Sequence, residues 1–151
     1  MNLYDEFFEV INALQSAKMR FAVVGGLALA FYDEPRFTRD IDLLVHSEDE
    51  QLIPDAMTAI GYAETAQPWT FESIPILLRR FMKIEGEDFI EVDFLIGRQK
   101  QIDEIVYNAV EQPWSGGKVN VVSKADLIWL KKHRGSDQDK LDIQKLKNDE
   151  A

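Results

Sequence analysis

Asp40 and Asp42 are spaced to do chemistry together. They sit in the run Thr38-Arg39-Asp40-Ile41-Asp42, and in an extended strand residues i and i+2 project from one face. Two carboxylates held side by side next to the apolar run Leu43-Leu44-Val45 repel each other unless something offsets their charge. A hard divalent cation such as Mg²⁺ does that with all-oxygen ligands. The competing reading is an exposed strand end with two solvated acids. A second acidic stretch, Glu91-Val92-Asp93-Phe94-Leu95, has the same alternation. If it pairs beside the first, Asp93 completes a three-acid site, with Glu91 as the competitor of equal facing parity; a strand with one wet face has the same pattern. Upstream, Gly25-Gly26 interrupts an apolar run, and two glycines at a strand-to-helix junction let phosphate approach backbone amides. They also suit an ordinary tight turn.

These residues need elements to position them. Leu3, Phe7, Val10, Ile11 and Leu14 recur at helical spacing, which predicts an amphipathic helix over 3–17. Residues 20–24 read as a strand, broken by Gly25-Gly26 and followed by a helix that Pro35 interrupts. Residues 40–46 read as the strand carrying the two acids. Ser47, with Glu50 three residues on, predicts a capped helix running to about Ile60. The stretch 63–78 reads as irregular or as a short helix. Strands over 79–85 and 89–96 are joined at Gly86-Glu87-Asp88, a hairpin signal. A helix follows over 99–109, then two short strands turning at Gly116-Gly117, the second near 118–122. A helix capped by Ser123 and a last helix from Ser136 or Asp137 to about Lys147 close the chain. Helices and strands mixed around one sheet, with no linker, predict an α/β (α+β) protein forming a single domain over 1–151.

The 151 residues contain no cysteine, so disulfides and thiolate metal sites are absent. The net charge of −10 disfavours general affinity for nucleic acid, which needs clustered Lys and Arg. No run approaches the length of a membrane span, and the first residues lack a basic leader, so no membrane association is expected and the cytoplasm is the expected location. His46 and His133 read as a surface residue and a helix-end charge, respectively. Trp69 and Phe71 are candidates to line a pocket, with core packing as the competing reading, and Trp129 fits a helix core face.

The glycine pair, the 13 residues from Leu27 to Arg39, the Asp-x-Asp strand and the later Asp93 together resemble the nucleotidyltransferase superfamily related to polymerase beta. The segment VVGGLALAFYDEPRFTRDIDLLV is similar to the AbiEii-like toxin group and related small bacterial nucleotidyltransferases. The segment SKADLIWLKKHRGSDQDKLDIQKL resembles that group's closing helices, with Lys131 at its lysine and Asp139 at its later acid. The resemblance implies a nucleotidyltransferase fold with a mixed central sheet flanked by helices. It implies transfer of a nucleoside monophosphate from ATP or another NTP to an acceptor such as a tRNA end, a protein hydroxyl or a small molecule. Asp40, Asp42 and Asp93 would be catalytic and hold Mg²⁺, or Mn²⁺ in its place. Gly25, Gly26, Lys131 and Arg39 would contact the nucleotide; Arg36 and Arg39 are equally suited to balancing the acids. A toxin role with an antitoxin-like protein partner follows from the same likeness. The chain departs from the pattern at Leu27, where many members have Ser, and at Ser136, where the group often has Arg, with Arg134 nearby. A catalytically degenerate module that binds nucleotide or a partner is the alternative.

Overall fold

The architecture is that of a computed structural model, which describes residues 1–32, 40–115 and 117–148. Arg36, Arg39, the Pro35 break and Gly116 lie outside the described residues.

Helix α1 (Leu3–Ser16) starts at Asn2, whose side chain accepts from the amides of Tyr4 and Asp5, and it buries Phe7, Val10, Ile11 and Leu14. Strand β1 (Phe21–Val24) runs straight into α2 (Gly25–Phe31), so the helix begins on the first glycine rather than after the pair. Strand β2 (Asp40–Val45) carries the two acids at its start, where side chains are partly exposed, and is fully buried from Leu43 onward. The capped helix expected from Ser47 is instead a 3-10 turn (Ser47–Leu52) followed by α3 (Ile53–Thr58). His46 is the cap there: its Nδ1 accepts from the Glu48 amide at 3.1 Å, while the Ser47 hydroxyl donates to Asp103. His46 is therefore buried, not a surface residue, with Tyr107 at 3.2 Å from its Nε2.

The stretch read as irregular holds two short strands, β3 (Ala63–Glu64) and β4 (Trp69–Thr70), both antiparallel to β5 (Ile76–Glu85). Two-residue pairings carry no readable alternation, which is why they escape a sequence reading. β5 and β6 (Asp88–Gly97) form a ten-pair hairpin turning at Gly86-Glu87, with Gly86 at φ +60°. Next come α4 (Lys100–Tyr107), β7 (Val110–Trp114), β8 (Gly117–Val121), α5 (Lys124–Arg134) and α6 (Asp137–Asn148).

The sheet order is β3-β5-β6-β2-β1-β8-β7, with β4 also on β5. β2 runs antiparallel to β1 but parallel to β6, so the sheet is mixed. The β2–β6 register sets Asp40 beside Glu91 and Asp42 beside Asp93. Paired residues on neighbouring strands share a face, so all four acids stand on one side. No helix among the described residues is long and apolar enough to cross a membrane.

Phe94, the residue after Asp93, is fully buried and meets Phe81 edge-on at 5.5 Å. Phe94→Ala is expected to cost about 3–5 kcal/mol of stability, measured by urea unfolding. A loss below about 1 kcal/mol would contradict its place in the core.

Candidate active site

One face of the sheet forms the floor of a pocket. Val24, Asp42, Asp93, Leu95, Leu78 and Ile76 line it from four successive strands, and Gly25 closes one end. Helix α5 provides the opposite wall through Leu127, Leu130, Lys131 and Arg134. Those positions follow i, i+3, i+4, i+7 spacing, which puts them on one helix face. Phe71 and Ile74 complete the rim; Phe71 both lines the pocket and packs against the core, while Trp69 is exposed. Trp129 is partly buried against the core, its ring 4.1 Å from that of His133.

Gly25 must be glycine. Its φ of +67° is unfavourable for other residues, and a Cβ there would collide with the Asp42 carboxylate. The Asp42 carboxyl is thereby packed against the start of α2. Burial raises it to about 7, helped by the charges of Asp93 and Asp40 and opposed by Arg134 and Lys131.

Asp93 is buried and differently served. Arg80, its cross-strand neighbour on β5, donates from Nε to Oδ1 at 2.8 Å and from Nη2 to Oδ2 at 3.0 Å. Glu91 lies 3.7 Å from the same guanidinium, and burial followed by the Asp40 charge pushes its carboxyl up against Arg80's opposing effect.

Lys131 reaches the pocket wall but is buried and already paired, with Nζ 3.0 Å from Asp142 and 3.7 Å from Asp139. Arg134 is the more open cation, its side chain 47% exposed. It forks onto Asp139 at 2.7 and 2.6 Å. Burial pushes the Asp139 carboxyl up, but the hydrogen bonds from Arg134 and Ser136 outweigh it and hold the group below its usual range. Ser136 caps α6, its hydroxyl accepting from the Asp139 amide at 3.0 Å. Arg134 and Ser136 thus converge on the same Asp139 carboxylate. Arg80 and Arg134 were not singled out as site residues from the sequence; Arg134's i+3 spacing from Lys131 was the available signal.

The structure thus brings together Gly25, Asp42, Asp93 and Lys131, with Asp40 on the same strand face; Gly26 is buried in the first turn of α2. Among the described residues, no three acids or histidines converge closely enough to hold a metal ion. The in-register carboxylates of Asp40 and Asp42 offer oxygen donors of the kind a hard cation takes, while Asp93 is turned toward Arg80.

A family model settles the kinship. The nucleotidyl transferase AbiEii toxin family, described as a type IV TA system, matches residues 9–134. The chain belongs to this family of nucleotidyltransferases. The fold agrees with that of TM1012 from Thermotoga maritima, provisionally named a nucleotidyltransferase, at 16% identity and TM-score 0.67 over 97% of this chain and 92% of that one. It also agrees with lincosamide antibiotic adenylyltransferase LnuA, solved with lincomycin bound, at 16% identity and TM-score 0.61 over 95% of each chain. The antibiotic-resistance factor ANT(2'')-Ia is similar at 11% identity and TM-score 0.65, over 100% of this chain and 86% of the other. No curated protein matches in sequence.

The raised Asp42 carboxyl gives a signed stability prediction. The fold binds that proton more tightly than the unfolded chain, so stability falls as pH rises from about 4 to about 7 and the full cost persists above. Asp42→Asn is expected to stabilise the metal-free protein at pH 8 by up to roughly 4 kcal/mol, an advantage that fades toward pH 4. Thermal unfolding across this range measures it; a pH-independent difference would contradict the assignment. Gly25→Ala is expected to lose about 2 kcal/mol or more through its positive φ and its contact with Asp42, read by the same melts.

Proposed function

We propose that this AbiEii-family protein transfers a nucleoside monophosphate from an NTP to an acceptor hydroxyl, with the pocket between the acidic sheet face and α5 as the site. The observation that carries this reading is the β2–β6 register, which sets Asp42 beside Asp93 opposite Lys131 and Arg134. Asp40 and Asp42 would hold Mg²⁺, or Mn²⁺ in its place, and Asp93 would join them or accept the acceptor's proton. When bound, the cation supplies charge neutralisation at the phosphate oxygens and the departing pyrophosphate.

The chain's residues do the rest by positioning and fixed charge. Gly25 and Gly26 offer backbone amides to phosphate. Arg134 meets the triphosphate as a forked donor, and Lys131 contributes charge from behind its two acids. Arg39 is proposed as a further nucleotide contact. The acceptor oxygen attacks the α-phosphorus, the bond to the β-phosphate bridge breaks, pyrophosphate leaves, and the hydroxyl proton passes to water, or to Asp93 where that residue does not hold the cation. The apolar rim of Phe71, Ile74, Leu78 and Leu130 shields the reacting groups from water.

The acceptor is a tRNA end, a protein or a small molecule; LnuA, a lincosamide antibiotic adenylyltransferase, lends support to the last. The family's description supports a toxin role with an antitoxin-like partner. The cytoplasm, where NTP is abundant, is the proposed location.

Labelled NTPs incubated with the protein, Mg²⁺ and cell extract test the reading. Wild type is expected to give labelled product, and Asp42→Asn to lose about 100-fold or more. Arg134→Ala is expected to raise the NTP KM roughly tenfold. No labelled product from wild type, with Mg²⁺-dependent NTP binding intact in calorimetry, would sink the transferase reading in favour of a binding module.

A further inference from the structure

Asp93 enters the pocket with both oxygens occupied. Arg80 forks onto them at 2.8 and 3.0 Å. A bidentate guanidinium takes up two of the roughly four accepting directions of a carboxylate and offsets its charge, so Asp93 is a weaker ligand for a cation while the fork stands. Arg80 has two other footholds. Glu91 Oε2 lies 3.7 Å from its Nε, and the Trp69 ring lies 5.2 Å from its Cζ. The arginine side chain is 32% exposed and the aspartate 8%. Arg80 is therefore the partner with room to move, and its alternative contacts already touch it.

We propose that Arg80 is the resident counter-charge of Asp93, holding that acid in the free protein and passing to Glu91 and Trp69 when a divalent cation takes Asp93. The inference rests on the metal-assisted reading above. It makes Arg80 a positioning residue that acts through Asp93. Without it, a bare Asp93 would add to the repulsion on Asp42; with it, the cation competes with a guanidinium for the third acid. The site is held assembled but only partly available until it is filled.

Mn²⁺ binding to the whole chain without nucleotide, counted by electron paramagnetic resonance, tests this. Arg80→Gln is expected to bind Mn²⁺ about tenfold tighter than wild type and to gain more melting temperature on Mn²⁺ addition. Arg80→Lys, which cannot fork, should fall between. Arg79→Gln makes the same charge change one residue away, at an arginine paired with Glu64 and Glu50, and should shift affinity less than twofold. Equal affinity of Arg80→Gln and wild type, or an equal gain in Arg79→Gln, overturns the proposal, because a merely structural pair would alter melting but not Mn²⁺ affinity.

Should Arg80→Gln not fold, the arginine Nε–H resonances of wild type decide the matter: Arg80 must shift on Mg²⁺ addition, and an unmoved signal overturns the proposal. NTP turnover by the same wild-type preparation separates the claims. Turnover with unchanged Arg80→Gln affinity removes the role of Arg80 alone. Absence of both Mn²⁺ binding and turnover removes the transferase reading and Arg80's role with it.

Discussion

Four carboxylates, those of Asp40, Asp42, Glu91 and Asp93, stand on one face of two neighbouring strands. At strand spacing of about 4.8 Å their mutual repulsion is substantial in a partly buried setting. The surrounding structure offsets it unevenly. Arg80 neutralises Asp93 directly, Arg134 and Lys131 act on Asp42 from α5 without a hydrogen bond between them, and Asp42 remains raised to about 7. That residual imbalance is costly to the fold, and it lies in the pocket proposed as the active site.

The α5–α6 corner supports the arrangement from the other side. Asp139 and Asp142 are fully buried, and between them they engage Lys131, Arg134 and Ser136. Buried ion pairs recover little net stability after desolvation. Their effect here is geometric: they hold Lys131 and Arg134 on the face of α5 that lines the pocket. Gly135, at φ +72°, ends α5 in the left-handed conformation and starts the turn that brings Asp139 back under Arg134.

Much of the site was legible because its signals are local. The Asp40-Ile41-Asp42 alternation, the glycines after an apolar strand and the Ser123 cap each depend on residues within a few positions, and each lies where expected. The pairing of β2 with β6 joins segments about fifty residues apart, so Asp93 was a candidate and its parity with Glu91 left two choices. Register sets Asp93 beside Asp42 and Glu91 one pair further out. Arg80 carries no local signal, since its meaning comes from Asp93 across the hairpin. His46 misled because its environment is built by Tyr107 and Asp103 of α4, far along the chain. Ser136 caps the last helix, and the nearby cation on the pocket wall is Arg134 of the preceding helix.

Burial raises the Asp42 carboxyl to about 7 in the free protein, and a bound cation would lower it. Carboxyl carbon NMR of Asp42, titrated with pH in the free protein and again with saturating Mg²⁺, measures this directly. A midpoint near 7 without metal, falling by at least about two units when Mg²⁺ is bound, is the expected result. A midpoint near 4 in the free protein, unmoved by Mg²⁺, would contradict it.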